Sequence, residues 1–325
     1  MKKTILALAV AAALPSYALA QTNIKLNGSI DQALEYSDPD VDGEDSDVRV
    51  TNGVWAGSRF AISGTEELGG GLKGIFNIEH RLSPDTGTVT SGATFWAGQA
   101  WVGLQGGFGT VRMGRQYTPV RRALEPGDVT GYSWYNNGDG LAGITTRFNN
   151  DLSYQSPSLG GFTIHAAYAA GESSATPFDA DLGDAFGIAG VGKFGPASFG
   201  IGYHNISAGD APGVDDTTEL ALSASAQFGI FGVGASHAQK EVNNVKRKAN
   251  FLSGSVGVGA GTVYLTLKQD DQGTDLDNTG LGLTYSHGLS KRTFVYASLG
   301  YNKVEQATGD DTKPKSFAIG VRHFF

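Results

Sequence analysis

The chain contains no cysteine, and it carries fewer basic than acidic side chains, 24 Lys and Arg against 32 Asp and Glu. Without cysteine, a disulfide framework, a zinc site with cysteine ligands and a thiol nucleophile are all excluded. Nucleic-acid binding needs a basic face that displaces counterions from phosphates, so the formal charge of −8 argues against a nucleic-acid partner. The composition therefore excludes cysteine chemistry and argues against broad nucleic-acid binding.

Long hydrophobic runs are also missing after the first twenty residues. The stretch 220–239 contains no Asp, Glu, Lys or Arg and would be long enough to span a bilayer, but glycine and small polar residues interrupt its apolar surface. A membrane-spanning helix needs about 20 predominantly apolar residues. Glycine is abundant instead, with 48 of 325 residues, and it disfavours helix interiors. The composition therefore argues against a mainly helical protein.

Residues 1–20 have the pattern of a signal peptide. Lys2 and Lys3 form a cationic start, 4–14 is an apolar core, and 18–20 (ALA) is a small-x-small cleavage site. The run is too short to favour the alternative of a membrane anchor. We expect residues 21–325 to form the exported domain, whose formal charge is −10 once Lys2 and Lys3 are removed.

Alternation of apolar and polar residues is the dominant signal in that domain. In 72–82, Leu72, Phe76 and Ile78 share one parity, while polar residues such as Lys73 and Asn77 take the other. Neighbouring residues of a strand point to opposite faces, so the pattern predicts strands with one apolar and one polar face. The same pattern recurs at 147–154, 162–168 and 317–325.

Short and long connections alternate between these segments. The short, glycine-rich turns are 68–72, 105–109, 156–161, 193–197, 228–231, 258–261 and 286–292. The long polar loops are 37–47, 83–92, 117–143, 171–183, 208–216, 241–247, 270–278 and 305–313. Fifteen connections join sixteen strands, and this arrangement predicts an all-β transmembrane antiparallel β-barrel of the outer membrane. A soluble, secreted all-β protein is the alternative, and the aromatic residues near strand ends disfavour it.

Several segments resemble the Gram-negative general diffusion porins, in particular the trimeric sixteen-stranded type of proteobacteria. They are 26–31 (LNGSID), 57–60 (GSRF), 64–73 (GTEELGGGLK), 99–104 (QAWVGL), 107–111 (GFGTV), 114–116 (GRQ), 147–150 (RFNN), 154–157 (YQSP) and 320–325 (GVRHFF). The resemblance covers all of 21–325, and it implies passive diffusion of small hydrophilic solutes and ions. It also implies a homotrimer surrounded by outer-membrane lipid and lipopolysaccharide, with no cofactor and no metal.

The resemblance assigns roles to two parts of the chain. It implies that the long third loop, 117–143, folds into the lumen and forms a constriction. It also implies that the C-terminal strand carries a signal for the outer-membrane assembly machinery, although His323 interrupts the apolar series. The residues of that signal are Phe317, Ile319, Val321 and Phe325.

Strand parity predicts which charges line the channel. Four arginines have the opposite strand parity to their apolar neighbours, so we expect their side chains to point into the lumen together with that of Glu79. They are Arg59, Arg81, Arg112 and Arg147. The third loop adds Arg121, Arg122, Glu125 and Asp128. An arginine wall that faces loop carboxylates would create a field across the pore. Alternatively, pairs such as Arg81 with Glu79 or Arg147 with Asp151 brace the wall.

The constriction candidates comprise six arginines and three carboxylates, so we predict a weak preference for anions. The acidic outer loops are screened by salt within about 10 Å and carry less weight. A porin specific for anions or phosphate is the first alternative. An outer-membrane barrel enzyme is the second, but the six histidines are scattered, and neither an H-E-x-x-H nor a G-x-S-x-G motif is present.

Overall fold

The computed structural model describes residues 22–90, 94–171, 183–209, 213, 215–273, 276–307 and 309–325. The predicted signal peptide, 1–20, lies outside the described residues, as do parts of several predicted long loops. Among helices in the described residues, none has the length and hydropathy needed to cross a bilayer.

The described residues form eighteen strand segments and one short α-helix. The first nine strands are β1 (Thr22–Asp38), β2 (Asp47–Asn52), β3 (Arg59–Gly69), β4 (Leu72–Ser83), β5 (Thr88–Val89), β6 (Ala100–Gly106), β7 (Gly109–Tyr117), β8 (Arg147–Gln155) and β9 (Phe162–Ala169). The other nine are β10 (Ala185–Phe194), β11 (Ala197–Ile206), β12 (Thr217–Phe228), β13 (Phe231–Val242), β14 (Val245–Val258), β15 (Gly261–Asp271), β16 (Asp277–Gly288), β17 (Thr293–Val304) and β18 (Lys315–Phe324). The helix, α1 (Pro119–Leu124), follows β7.

These segments make a closed antiparallel barrel of sixteen strands, as predicted. Both β2 and β3 pair with β1, so they are one barrel strand interrupted at 53–58, and β5 adds two residues beside the end of β4. Closure comes from the pairing of β1 with β18, in which Ser29 lies opposite Phe324. Beyond that pair, Gly28 and Phe325 exchange two backbone hydrogen bonds of 3.1 Å. Closure leaves no sheet edge unpaired, which a bilayer requires.

Asp31 explains the interruption between β2 and β3. Its carboxylate accepts hydrogen bonds of 2.9 Å from the backbone N–H groups of Trp55 and Ala56, and one of 2.8 Å from the Tyr296 hydroxyl. A buried carboxylate thus satisfies backbone groups that have left the ladder. The chain at 53–58 therefore bends at a defined place.

The apolar side chains of the strands face outwards. On β18, Phe317, Ile319, Val321 and Phe325 are exposed on the outer face, whereas Ala318 and Arg322 between them are buried. Many other large apolar side chains are exposed in the same way, among them Leu26, Val102, Met113, Ile201, Leu252, Leu283 and Leu299. An outward apolar surface with a polar interior is the arrangement of an outer-membrane barrel.

The prediction of a long loop at 241–247 is wrong. The segment 241–247 is not a loop, because β13 runs to Val242 and β14 starts at Val245. Asn243 and Asn244, with φ of 50° and 59°, form the two-residue turn between them. Two positive φ values suit the twist of a hairpin, and asparagine tolerates them better than most residues. The charged residues nearby, such as Glu241 and Lys246, belong to the strand ends and pair at 3.2 Å.

Candidate functional site

The longest connection of the described chain, 118–146, lies between β7 and β8, and we call it loop 3. It begins with α1, where the Thr118 hydroxyl accepts a hydrogen bond from the backbone of Arg121 and Pro119 occupies the first turn. Loop 3 is held inside the barrel by a small apolar core. Its members are Val120, Ala123, Leu124, Leu141, Ala142 and Ile144 from loop 3, with Ala189, Ala221, Ala238, Ala249 and Phe251 from the wall.

Glycines on β11 make this close approach possible. A Cβ atom at Gly200 would collide with the carbonyl oxygen of Ala123, and one at Gly202 would lie 2.7 Å from the Cβ of Ala123. Glycine at these positions lets the helix backbone lie directly against the sheet. The position of α1 in the lumen is thus determined partly by the wall sequence.

The tip of loop 3 is attached to the opposite side of the barrel. The Trp134 ring stacks on Trp55 with 4.4 Å between ring centroids, and its backbone N–H donates to the Trp55 carbonyl at 2.8 Å. Thr266 donates from its hydroxyl to the Tyr135 carbonyl at 2.7 Å. The Asn136 amide donates to the carbonyl of Leu281 at 3.0 Å. Loop 3 therefore crosses the lumen and is anchored at both ends of its path.

Glu219 on β12 secures the returning part of loop 3. Its carboxylate accepts hydrogen bonds from the backbone N–H and the hydroxyl of Thr145, the shortest being 2.8 Å. It also contacts His204 Nε2 at 2.7 Å and Lys240 Nζ at 3.2 Å. Lys240 in turn donates to the Gly143 carbonyl at 3.0 Å. Glu219 is thus a fully buried acid that binds one loop residue and two wall residues, and we call this set of contacts the Glu219 latch.

Arginines line the wall that loop 3 leaves open. Arg59 and Arg81 lie directly opposite each other in the β3–β4 ladder. Arg81 and Arg147 each donate from Nη2 to the hydroxyl oxygen of Tyr117, at 3.2 Å and 3.1 Å. The predicted pairing of Arg81 with Glu79 is present at 2.7 Å. Strands β3, β4, β7 and β8 thus bring three of the predicted arginines together around one tyrosine.

Most of these arginines lack a carboxylate partner. Within the described ranges, Arg59, Arg112 and Arg147 make no salt bridge, and the alternative pair of Arg147 with Asp151 is not formed. Arg147 instead places its Cζ atom 4.6 Å from the centre of the Tyr117 ring. The cluster of Arg59, Arg81 and Arg147 therefore has one salt-bridged carboxylate, Glu79, for three guanidinium groups.

Two predicted pore charges are turned into loop 3 rather than toward open lumen. Arg121 is buried, stacks 3.4 Å from the Tyr132 ring centre, and pairs with Asp139 at 2.8 Å. Asp128 is buried too, and it accepts hydrogen bonds from the backbone N–H groups of Thr130, Tyr132 and Gly138, at 2.8–3.2 Å. Both residues shape the loop instead of lining its free surface.

Burial raises the pKa of Asp128, and the hydrogen bonds from Thr130, Gly138 and Tyr132 oppose that rise. Asp128 is therefore held inside loop 3 by these donors, and its side chain does not face the open lumen. Its position depends on hydrogen bonds within loop 3, which strand parity does not reveal.

Three further predicted residues lie at the free surface of loop 3 and the wall beside it. Arg122 is half-buried and pairs with Glu125 at 3.1 Å, while Glu125 is exposed. Arg112 on β7 donates to the Gln155 side chain at 3.1 Å. The Cζ atom of Arg122 lies 5.1 Å from the centre of the Tyr117 ring, so Arg122 is close to the cluster that Arg81 and Arg147 form around that tyrosine.

Arg322 is a wall arginine that the sequence-predicted set lacks. Its Nη2 donates to the Ser29 hydroxyl at 3.0 Å, and its Cζ lies 5.1 Å from the Trp55 ring centre. Strand parity could have predicted that Arg322 points inwards, because it follows the outward-facing Val321 on β18. Glu219 and Asp31, in contrast, bind partners far away in the sequence, and no local pattern identifies such contacts.

Comparisons with known proteins show which family this chain belongs to. A family model described as Gram-negative porin matches residues 7–324. The chain belongs to the Gram-negative porins. Outer membrane porin protein 32 of Delftia acidovorans is 32% identical, with 99% of this chain and 95% of the relative covered. An outer membrane porin protein of Bordetella pertussis is 29% identical, and both chains are covered completely.

Solved structures agree with this assignment. The structure of an anion-selective porin from Comamonas acidovorans superposes on this porin with a TM-score of 0.82 and 26% identity, covering 94% of this chain and all of the other. This porin is thus a passive diffusion channel of the cell outer membrane. Its relatives are channels and not enzymes.

Proposed function

We propose that this porin is weakly anion-selective and that a charged constriction between the arginine wall and loop 3 limits solute size. The observation that carries the proposal is the arrangement of Arg59, Arg81 and Arg147, of which Arg81 alone has a carboxylate partner among the described residues. Positive groups on a narrow, low-dielectric wall raise the local concentration of anions. The function is transport without a chemical step.

The constriction residues in this proposal divide into two groups. Arg59, Glu79, Arg81, Arg112, Arg122, Glu125 and Arg147 present charge to the lumen. Arg121 and Asp128 hold loop 3 in shape. The anion-selective porin of Comamonas acidovorans, which shares the fold, supports the sign of the preference.

Selectivity is tested by removing single charges. Arg59→Gln and Arg147→Gln should each shift the reversal potential in a salt gradient toward cation preference. Arg292→Gln is the matched control, because it removes the same charge from an exposed turn. The proposal is wrong if all three variants behave alike.

The alternative is a channel specific for anions such as phosphate. A specific channel needs a site that saturates, whereas an open sieve conducts in proportion to concentration. Liposome swelling with sugars of rising size, compared with block of single channels by phosphate, distinguishes the two.

We also propose that the porin works as a homotrimer in contact with outer-membrane lipid and lipopolysaccharide. The assembly machinery would read the exposed C-terminal face formed by Phe317, Ile319, Val321 and Phe325. Support comes from the family and from the outward orientation of these four side chains. Native mass spectrometry of the detergent-extracted protein tests the trimer directly.

A further inference from the structure

The outer face of β13, β14 and β15 carries three polar side chains in a single row of the ladder. Asn250 lies opposite His237 on one side and opposite Gln269 on the other. Asn250 and Gln269 are exposed, whereas Ala238 and Ala249, the chain neighbours of His237 and Asn250, are fully buried in the core beneath loop 3. The three polar side chains therefore point away from the channel, and we call them the polar row.

The polar row lies at the depth where outward side chains meet hydrocarbon. His237 follows Phe231, the first residue of β13, by six residues, and Asn250 precedes Val258, the last residue of β14, by eight. At about 3.3 Å per residue and a strand tilt of about 40°, they lie about 15 Å and about 20 Å beyond the short turns. The apolar band of such barrels is about 25 Å tall, so both residues lie in its outer half.

The polar row has more hydrogen-bonding groups than it uses among the described residues. The Nδ1 atom of His237 lies 2.9 Å from the Oδ1 atom of Asn250, and within the described ranges this is the only side-chain hydrogen bond of the row. Polar groups are costly in hydrocarbon unless they are hydrogen-bonded, and they mark functional positions there. The second imidazole nitrogen and the two side-chain amides offer both donors and acceptors to a partner in the membrane.

The surface on either side of the polar row differs in character. Toward the short turns, the same strands border a shallow apolar depression of about 370 Å³. The residues that line it include Phe231, Val233, Val256 and Leu265. Toward the long loops, Lys248 is exposed and lies opposite Asp271, whose carboxylate accepts a hydrogen bond of 2.8 Å from the backbone of Gly273. From the short turns outward, this face thus passes from apolar to hydrogen-bonding to cationic.

We propose that this face is a binding site for one lipopolysaccharide molecule of the outer leaflet, toward which the long loops point. One acyl chain lies in the depression, and Lys248 binds a phosphate of the headgroup. The polar row binds the amide and hydroxyl groups of the amide-linked, hydroxylated acyl chains. A phospholipid also carries a phosphate, but its ester-linked chains offer only acceptors at the depth of the polar row. This inference rests on the proposed contact with lipopolysaccharide and gives that contact a defined place.

The test titrates delipidated porin in detergent with rough lipopolysaccharide and, separately, with phosphatidylglycerol, and counts bound lipids by native mass spectrometry. The native porin should bind lipopolysaccharide more tightly. The double variant His237→Leu, Asn250→Leu should raise the half-saturating lipopolysaccharide concentration by roughly tenfold, because several hydrogen bonds are lost, and should leave phosphatidylglycerol binding unchanged. Lys248→Gln should weaken both lipids by roughly threefold, because both carry a phosphate. Leucine suits a lipid-facing position, so the double variant should fold.

His287→Leu is the matched control, because His287 is near the short-turn end of β16 and its Nδ1 atom lies 3.3 Å from the Tyr285 hydroxyl. This variant should bind lipopolysaccharide as the native porin does. Equal half-saturation in the native porin and the double variant, or equal native affinity for the two lipids, would overturn the binding site while the proposed contact with lipopolysaccharide stands. A native porin that binds no lipopolysaccharide would overturn both.

Discussion

Single residues on the barrel wall decide where loop 3 lies. Gly200 and Gly202 provide the flat surface on which α1 rests, and Gly127 in turn fits against Gly234 of β13. The sequence shows abundant glycine, but turns account for only part of it. Strand parity predicts which arginines face the lumen because strands have a fixed period. Loop residues such as Arg121 and Asp128 have no period, so their orientation could not be predicted.

Gly200→Val should push α1 away from β11 and into the channel. The added atoms would collide with the Ala123 carbonyl, and the helix can move only toward the lumen. We expect a lower single-channel conductance in planar bilayers. Gly254→Ala is the control, because its Cβ atom would meet no atom closer than 4.0 Å. Native conductance in Gly200→Val would contradict this account of the helix position.

Strands could be predicted from the sequence wherever apolar and polar residues alternate. The sixteen strands follow from period two and from the alternation of short turns and long loops. The exceptions arise from contacts between distant segments. Asp31 interrupts the second barrel strand by accepting hydrogen bonds at 53–58, and two asparagines replace a predicted loop with a hairpin. Loop 3 was predicted as the longest loop, but its anchors on β12, β15 and β16 were not.

The Glu219 latch predicts how loop 3 responds to mutation. Glu219→Gln removes the charge that faces Lys240 and weakens the hydrogen bonds from Thr145, a loss of roughly 1–3 kcal/mol in the attachment of the loop. Single-channel recordings should show more frequent current fluctuations than in the native porin. Glu241→Gln, at an exposed strand end, should record like the native channel. Equal current noise in Glu219→Gln and Glu241→Gln would contradict the role of Glu219 in holding loop 3.

At the scale of the whole molecule, closure and orientation of the barrel depend on its last strand. Deleting Phe325 removes both backbone hydrogen bonds to Gly28 and one outward aromatic ring. We expect a lower fraction of folded porin in the outer membrane, measured by heat-modifiable migration on gels. His323→Ala keeps the backbone pairing and serves as the control. Similar folded fractions for the two variants would argue against a special role of the terminal residue.

The net charge of the chain describes the transport function poorly. Many acidic residues lie in the long loops, whereas the arginines of β3, β4, β7 and β8 belong to the proposed constriction. The account therefore predicts a preference opposite in sign to the one that the formal charge of −8 suggests.

The most direct test is the zero-current potential of the native porin in a planar bilayer that separates two KCl concentrations. The arginine wall predicts a potential whose sign corresponds to chloride being more permeant than potassium, and whose size falls as ionic strength screens the wall. A potential that shows potassium to be clearly more permeant would contradict the account.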